Sequence, residues 1–444
     1  MSTGDTTDDP NALGAPLGMA TGSAAYSIIT RRAMLGGSAA LVAGAVLPAC
    51  GGSAASPSAA VSPQPAASAS PLPAPTATPS PASTAGLQAI AAPRNLNFGS
   101  CFAWSPDGAD AGSFANPRYA ALLERDCGVL VPENELKWQS IRPAADRFDF
   151  TRFDAMVAYA QGKRLDLRGH TLLWHYDRWF PAWLNTYDYG AKPASEAERV
   201  LGTHIRTVLE RYGTRIRSYD VVNEAVDPAT SELRQTSLSR AMGSAEAVLD
   251  FAFRTARAHA PHAELVYNDY MSWEAGNEKH RAGVLRLLEG FRKRDTPVDA
   301  LGVQSHIGLF GATPSVAQLV AQLTPEWRRF LDQVTGMGYR LVITEFDVRD
   351  RGLPADVAAR DQGVADFARA YLDVMLSYPQ LNDVLAWGMS DRYSWLRTFE
   401  PRPDGQVTRG CPYDIDLQPK PLYTAIAGAF AAAPARPPRP SPAA

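Results

Sequence analysis

The feature of this 444-residue chain that most constrains its fold is a rhythm. From about residue 94 to residue 431, short apolar runs alternate with longer amphipathic stretches. Runs at 96–102, 129–131, 166–170, 219–223, 265–268, 300–304, 341–345 and 384–387 have the length and composition of buried strands. Stretches at 153–161, 196–211, 245–260, 277–292, 325–335 and 357–376 carry helical apolar spacing. Eight strands separated by helices predict an α/β fold, the (β/α)8 TIM barrel, with a doubly wound open sheet as the alternative. Nearly every run also ends in polar residues able to do chemistry. The endings are Glu133 and Asn134, His170, Asn223 and Glu224, Asn268 and Asp269, Gln304 and His306, Glu345 and Asp347, and Trp387. In a barrel the carboxyl ends of all strands meet on one face, so these side chains are expected to share a site.

The first 93 residues read differently. Arg31-Arg32 precedes an apolar, Gly/Ala-rich run that ends at Leu47-Pro48-Ala49-Cys50. This is the layout of a twin-arginine export signal over 1–50, and the run is too short and interrupted for a stable membrane span. Its ending is like a bacterial lipobox, in which a lipidated Cys50 would anchor the protein to a membrane; the alternative is cleavage near Ala49 and release. Either outcome places the mature protein outside a bacterial cytoplasm. No charge occurs between Arg32 and Arg94, and 51–93 is dominated by Ala, Ser and Pro. Such a segment buries too little apolar surface to offset its ordering entropy and is expected to be a disordered spacer. The Pro-rich end, 432–444, is expected to be a disordered tail.

Composition excludes several functions. Lys+Arg 43 against Asp+Glu 46 leaves no basic surplus for nucleic acid. The four Cys, at 50, 101, 127 and 411, form no CxxC pair, and the seven His form no HExxH. No phosphate-cradling glycine motif follows a strand. No cofactor and no metal are expected, and a monomer is the expected state. Cys101 and Cys127 lie on or beside neighbouring strands and are candidates for a disulfide, with Cys411 as a competing partner.

Two strand ends carry the decisive chemistry. Asp220-Val221-Val222-Asn223-Glu224 and Ile343-Thr344-Glu345-Phe346-Asp347 each place a Glu directly after an apolar run. Cleavage of a glycosidic bond needs two carboxyl groups, one protonated to assist the leaving oxygen and one ionised to attack or to activate water. An Asp347–His306–Glu345 relay would fix the imidazole tautomer and favour an ionised Glu345. Spacing alone does not assign the roles.

The chain resembles the endo-xylanases of glycoside hydrolase family 10. The resemblance rests on Pro132-Glu133-Asn134-Glu135-Leu136-Lys137-Trp138, Arg168-Gly169-His170-Thr171-Leu172-Leu173-Trp174-His175, the two Glu segments above, Gln304-Ser305-His306, Trp387-Gly388-Met389-Ser390-Asp391-Arg392-Tyr393-Ser394-Trp395 and Pro419-Lys420-Pro421-Leu422-Tyr423. These motifs run in family order from about residue 96 to 430. The resemblance implies a (β/α)8 barrel that hydrolyses β-1,4-xylosidic bonds of xylan with retention. It implies Glu224 as acid/base and Glu345 as nucleophile, with carboxylates roughly 5–5.5 Å apart. It implies Asn223 on a sugar 2-hydroxyl, and His306 and Asp347 poising the nucleophile. Glu133, Asn134, Lys137, His170, Trp174, Gln304, Trp387 and Trp395 would hold the sugars. The alternatives are a broader β-1,4-glycanase and a non-catalytic carbohydrate-binding barrel; the presence of both Glu residues weighs against the second.

The chain departs from the family after His175, where Ser-Gln-x-Pro-x-Trp is usual. Here the sequence is Tyr176-Asp177-Arg178-Trp179-Phe180-Pro181-Ala182-Trp183. The family's Gln crowds the space of a glucose hydroxymethyl, so Asp177 puts selectivity for xylose over glucose in question and could alter sugar contacts through its charge. The first loop, 103–116 with Trp104, is long enough to add a wall to the cleft.

Overall fold

A computed structural model describes residues 85–310 and 315–437. Eight parallel strands close into a barrel: Asn97–Phe102, Val129–Pro132, Asp166–Trp174, Ser218–Asn223, Glu264–Asp269, Ala300–Val303, Arg340–Arg349 and Leu381–Ala386. Closure is direct, because the first strand pairs with both the second and the last. A short extra strand, His306–Gly308, lies beside the outer half of the seventh. The helices following the eight strands include Pro117–Asp126, Thr151–Lys163, Pro193–Tyr212, Ala245–His259, Glu278–Lys293, Val316–Gly336, Val357–Met375 and Pro421–Ala432. The expected barrel is therefore the fold, and the open sheet is excluded by the closing pair.

Alternation along each strand divides the core in two. Cys101, Val129, Val131, Val266, Ala300, Val342 and Leu385 fill the barrel interior. Phe98, Phe102, Leu130, Leu341, Ile343 and Val384 point outward into the layer shared with the helices. This alternation also settles the cysteines. Cys101 faces the interior, whereas Cys127 belongs to the outer layer, so the sheet itself separates them. Cys101, Cys127 and Cys411 are buried free thiols, and the candidate 101–127 bridge is not formed.

Two boundaries move. Leu87–Ala91, inside the stretch expected to be spacer, is a helix with Leu87 and Ala91 buried. Asp126 accepts the Leu87 N–H at 3.2 Å, and Gln88 accepts the Phe98 N–H at 2.8 Å. The ordered body thus begins before residue 94, because two apolar side chains and an amide are enough to fasten one turn. At the other end Arg436, expected in a disordered tail, is buried; its guanidinium donates to the Leu381 and Leu376 carbonyls, each at 2.5 Å. The helix expected from Pro325 begins at Val316, because Ser315 caps it by accepting the Gln318 N–H at 3.1 Å. The export signal, the lipobox with Cys50 and most of the spacer lie outside the described residues.

Candidate active site

The barrel brings every strand end onto one face, but alternation alone would not aim the side chains correctly. Three bulges do so. On the third strand the register with the fourth shifts between His170 and Leu173, and Leu172 and Leu173 both join the outer layer. On the fourth strand the shift falls between Asp220 and Val222, and Val221 and Val222 both face outward. Asn223 is thereby returned to the interior. On the seventh strand the shift falls between Ile343 and Phe346, both of which face outward. Thr344 and Glu345 between them both turn inward. Beyond the strand ends the ladder continues, with Glu345 N–H on the Gln304 carbonyl at 3.0 Å and Glu224 N–H on the Asn268 carbonyl at 2.9 Å.

The two glutamates are joined by a chain of three amides. Gln304 Nε2 donates to Glu224 Oε1 at 2.9 Å and to Asn223 Oδ1 at 3.3 Å. Asn268 Nδ2 donates to the same Asn223 oxygen at 3.0 Å and to Glu345 Oε1 at 2.8 Å. Asn268 Oδ1 accepts from the Thr344 hydroxyl at 2.7 Å. With its oxygen taken twice, Asn223 has its NH2 left for a group in the cleft. Gly302 makes room for this network, since a Cβ there would collide with Asn268 Oδ1.

The surroundings of the two carboxyls differ in charge. Glu345 Oε2 faces His306 Nε2 at 3.3 Å, and His306 Nδ1 lies 2.9 Å from Asp347 Oδ1. Trp395 Nε1 donates to the other Asp347 oxygen at 2.7 Å. Burial pulls the His306 pKa down, but Asp347 and then Glu345 outweigh it and raise it to about 9. Burial opposes the charge on Glu345 as well, and the His306 hydrogen bond reverses this, so its pKa lies below the ordinary value. Glu224 has no cation bonded to it. Burial raises its pKa, assisted by the charges of Asp269 and Glu345 and only partly offset by Gln304. The surroundings of Glu345 favour its ionised form and those of Glu224 its protonated form, the division that acid-assisted displacement at a glycosidic carbon needs.

The remaining expected residues assemble around this pair. His170 Nδ1 sits 3.0 Å from Asp220, whose other oxygen accepts from buried Arg168 at 2.6 Å. Trp387 packs edge-on against His170, with ring centres 5.4 Å apart. Lys137 donates to Asn134 at 2.9 Å and lies 5.0 Å above the Trp174 ring. Burial lowers the Lys137 pKa against the pull of Glu345, Glu133, Glu224 and Glu135, and burial raises that of Glu133 to about 7. Trp174 is stacked on Trp179 at 4.7 Å, so the departure after His175 supplies an extra aromatic to this wall. Trp104 lies on the first loop, whose backbone N–H at that residue donates to Glu135 at 2.7 Å.

Asp177, the residue of that departure, is held from the next strand-end loop. One oxygen accepts the Ser237 backbone N–H at 2.9 Å and the other accepts from Arg240 at 3.1 Å. Its charge is committed to the start of the helix Ser237–Met242. Asn268 was visible in the sequence only as a polar strand end; Thr344, Arg168 and Asp220 gave no sign of their parts. Among the described residues no group of three or more His, Cys, Asp or Glu side chains is arranged to hold a metal ion. A separate cavity of about 650 Å³, between the helices Val357–Met375 and Pro421–Ala432, is lined by none of these residues.

Comparison with known proteins adds the lineage. Residues 87–429 match the model of Glycosyl hydrolase family 10. The chain is 32% identical over 362 residues to endo-1,4-beta-xylanase 5 of Pyricularia oryzae, covering 80% of each chain. It is 28% identical to endo-1,4-beta-xylanase B of Thermotoga neapolitana, covering 70% of this chain and 82% of that one. The native xylanase 10B of Thermotoga maritima superposes with a TM-score of 0.67 at 28% identity, over 78% of this chain and 98% of that one. The Thermotoga petrophila xylanase 10B, solved in complex with xylobiose, gives the same TM-score and identity, over 78% and 97%.

Proposed function

The chain belongs to glycosyl hydrolase family 10, and from that premise we propose that it is a retaining endo-1,4-β-xylanase with Glu345 as nucleophile and Glu224 as acid/base. The observation that carries this reading is the opposed tuning of two glutamates bridged by Gln304, Asn223 and Asn268. In the first step Glu345 attacks the anomeric carbon while Glu224 gives its proton to the departing glycosidic oxygen. In the second step Glu224 takes a proton from water, which attacks the same carbon and frees Glu345. The Asn223 NH2 is offered to the sugar 2-hydroxyl, a contact that strengthens in the transition state. Glu133, Asn134, Lys137, His170, Trp174, Trp387 and Trp395 supply the polar and aromatic walls for the sugar chain on the non-reducing side.

The test is the stereochemistry of the first product from an aryl β-xylobioside, followed by NMR. The β-anomer at early times supports the reading; the α-anomer overturns it. A second reading, a broader β-1,4-glycanase, is favoured by Asp177, whose commitment to Ser237 and Arg240 takes it away from the crowding part of the family's Gln. Hydrolysis of aryl β-xylobioside against aryl β-cellobioside decides it, and equal rates would establish the broader specificity. The twin-arginine pattern and the lipobox-like ending support action outside the cytoplasm, with Cys50 as the membrane anchor and cleavage near Ala49 with release as the alternative. Loss of membrane association in Cys50→Ala would support anchoring, and unchanged partitioning would refute it.

A further inference from the structure

We infer that Arg234 is a positioning residue for the general acid, acting through the backbone of Glu224; the inference rests on the role proposed above for Glu224. Glu224 has φ 54°, in the left-handed region that non-glycine residues avoid. Such a residue keeps its conformation only where surrounding contacts enforce it. On one side its N–H is held by the Asn268 carbonyl at 2.9 Å. On the other its carbonyl accepts from Arg234 Nε at 3.2 Å. The Arg234 backbone N–H closes the same loop on the Ala225 carbonyl at 2.8 Å.

The rest of the guanidinium ties in the neighbouring loops. Nη1 donates to Asp227 at 3.1 Å, and Nη2 donates to the Tyr270 hydroxyl at 2.9 Å, after the fifth strand. Its plane lies 4.3 Å from the centre of the Tyr176 ring, after the third strand. The His175 ring meets the Arg234 carbonyl through Nε2 at 3.0 Å. Three successive strand-end loops therefore converge on one side chain that is 11% exposed. Displacing Arg234 frees the Glu224 carbonyl, lets the left-handed turn relax and moves the carboxyl off Gln304. The nucleophile, held by His306 and Asn268, is untouched. A lysine keeps the charge but cannot reproduce the fork.

Leaving-group dependence tests this. Proton donation matters when the departing oxygen is basic and matters little for an activated aryl group. The full chain carrying Arg234→Met or Arg234→Lys is assayed on phenyl and dinitrophenyl β-xylobioside, reading kcat/KM, which reports the first step only. The expected result is a fall of about 10-fold or more on the phenyl substrate, against less than about 3-fold on the dinitrophenyl substrate. Equal falls on both, or no fall on either, would overturn the inference. Both rates come from one preparation, so misfolded protein scales them together and leaves their ratio unchanged. If Arg234→Met does not fold, Arg234→Lys gives the same ratio. Glu224→Gln is run alongside. Absence of leaving-group dependence there removes the assigned role of Glu224 and the inference with it. Its presence there and absence in Arg234→Met removes the inference alone.

Discussion

Glu224 and Glu345 are the same residue type at the ends of two barrel strands, yet their surroundings push them opposite ways. Around Glu345 a histidine stands between two carboxylates, and the buried triad Asp347–His306–Glu345 is stable with the imidazole charged. Around Glu224 the bonded partner is a neutral amide, and the charges of Asp269 and Glu345 add to the effect of burial. Burial acts on both in the same direction. What differs is whether the neighbour can carry a positive charge. On the proposed assignment, two like carboxyls at neighbouring places on the barrel mouth are thus divided into acid and nucleophile by the side chains around them.

The largest effect expected is at the ionised partner. Glu345→Gln should lower kcat by at least about 10⁴-fold on every aryl β-xylobioside, whatever the leaving group. Steady-state kinetics across a leaving-group series would show it, and survival of activity on the best leaving group would undo the contrast with Glu224. Glu224→Gln should cost about 10²–10⁴-fold on xylan or phenyl xylobioside and far less in the first step on activated substrates.

Next comes the relay. Asp347→Asn removes the carboxylate that does most to raise His306, so the imidazole loses charge near neutral pH and Glu345 loses its support. A charged hydrogen bond of about 1.5–3 kcal/mol corresponds to a fall in kcat of about 10–100-fold. Because the Glu345 pKa then rises, the acid limb of the pH–rate profile should move to higher pH. The basic limb, set by Glu224, should stay in place. An unchanged acid limb would remove His306 from the tuning of Glu345.

A stability measurement sharpens the same point. His306 is raised to about 9 in the folded protein against 6.5 as its ordinary value. A raised histidine contributes stability that is fully present below pH 6.5 and is lost as pH rises through 9. Urea unfolding between pH 6 and pH 10 should show this decline in the parent chain and a flatter curve in Asp347→Asn. The smallest effect expected is at Asp177, outside the catalytic pair. Asp177→Ala should cost about 1 kcal/mol or less, since it removes a partly exposed carboxylate from a helix start. Thermal unfolding reads the stability, and the xylobioside-to-cellobioside rate ratio shows whether the loop moved.

Much of the fold and the centre of the site were legible in the residue order. Polar residues closing successive apolar runs pointed to a barrel mouth, and that architecture needs no long-range information to recognise. Other parts were hidden for a definable reason. Simple alternation from Val342 would put Glu345 on the outer face, and only the bulge between Ile343 and Phe346 turns it in. Asn268 looked like any strand end until strand pairing placed its amide between Asn223 and Glu345. That Leu87 and Arg436 pack onto the barrel depends on partners far away in sequence, not on their own low-complexity surroundings.

The chain's own residues determined the strand-and-helix alternation, the identity of the two carboxyls and the histidine that distinguishes them, because each is written in local order and type. Tertiary structure alone decided which way those side chains point, that Asp177 bonds Ser237 and Arg240, and that Cys101 and Cys127 lie on opposite sides of the sheet. Those outcomes follow from register between strands far apart in sequence, where a one-residue shift reverses the face each side chain meets.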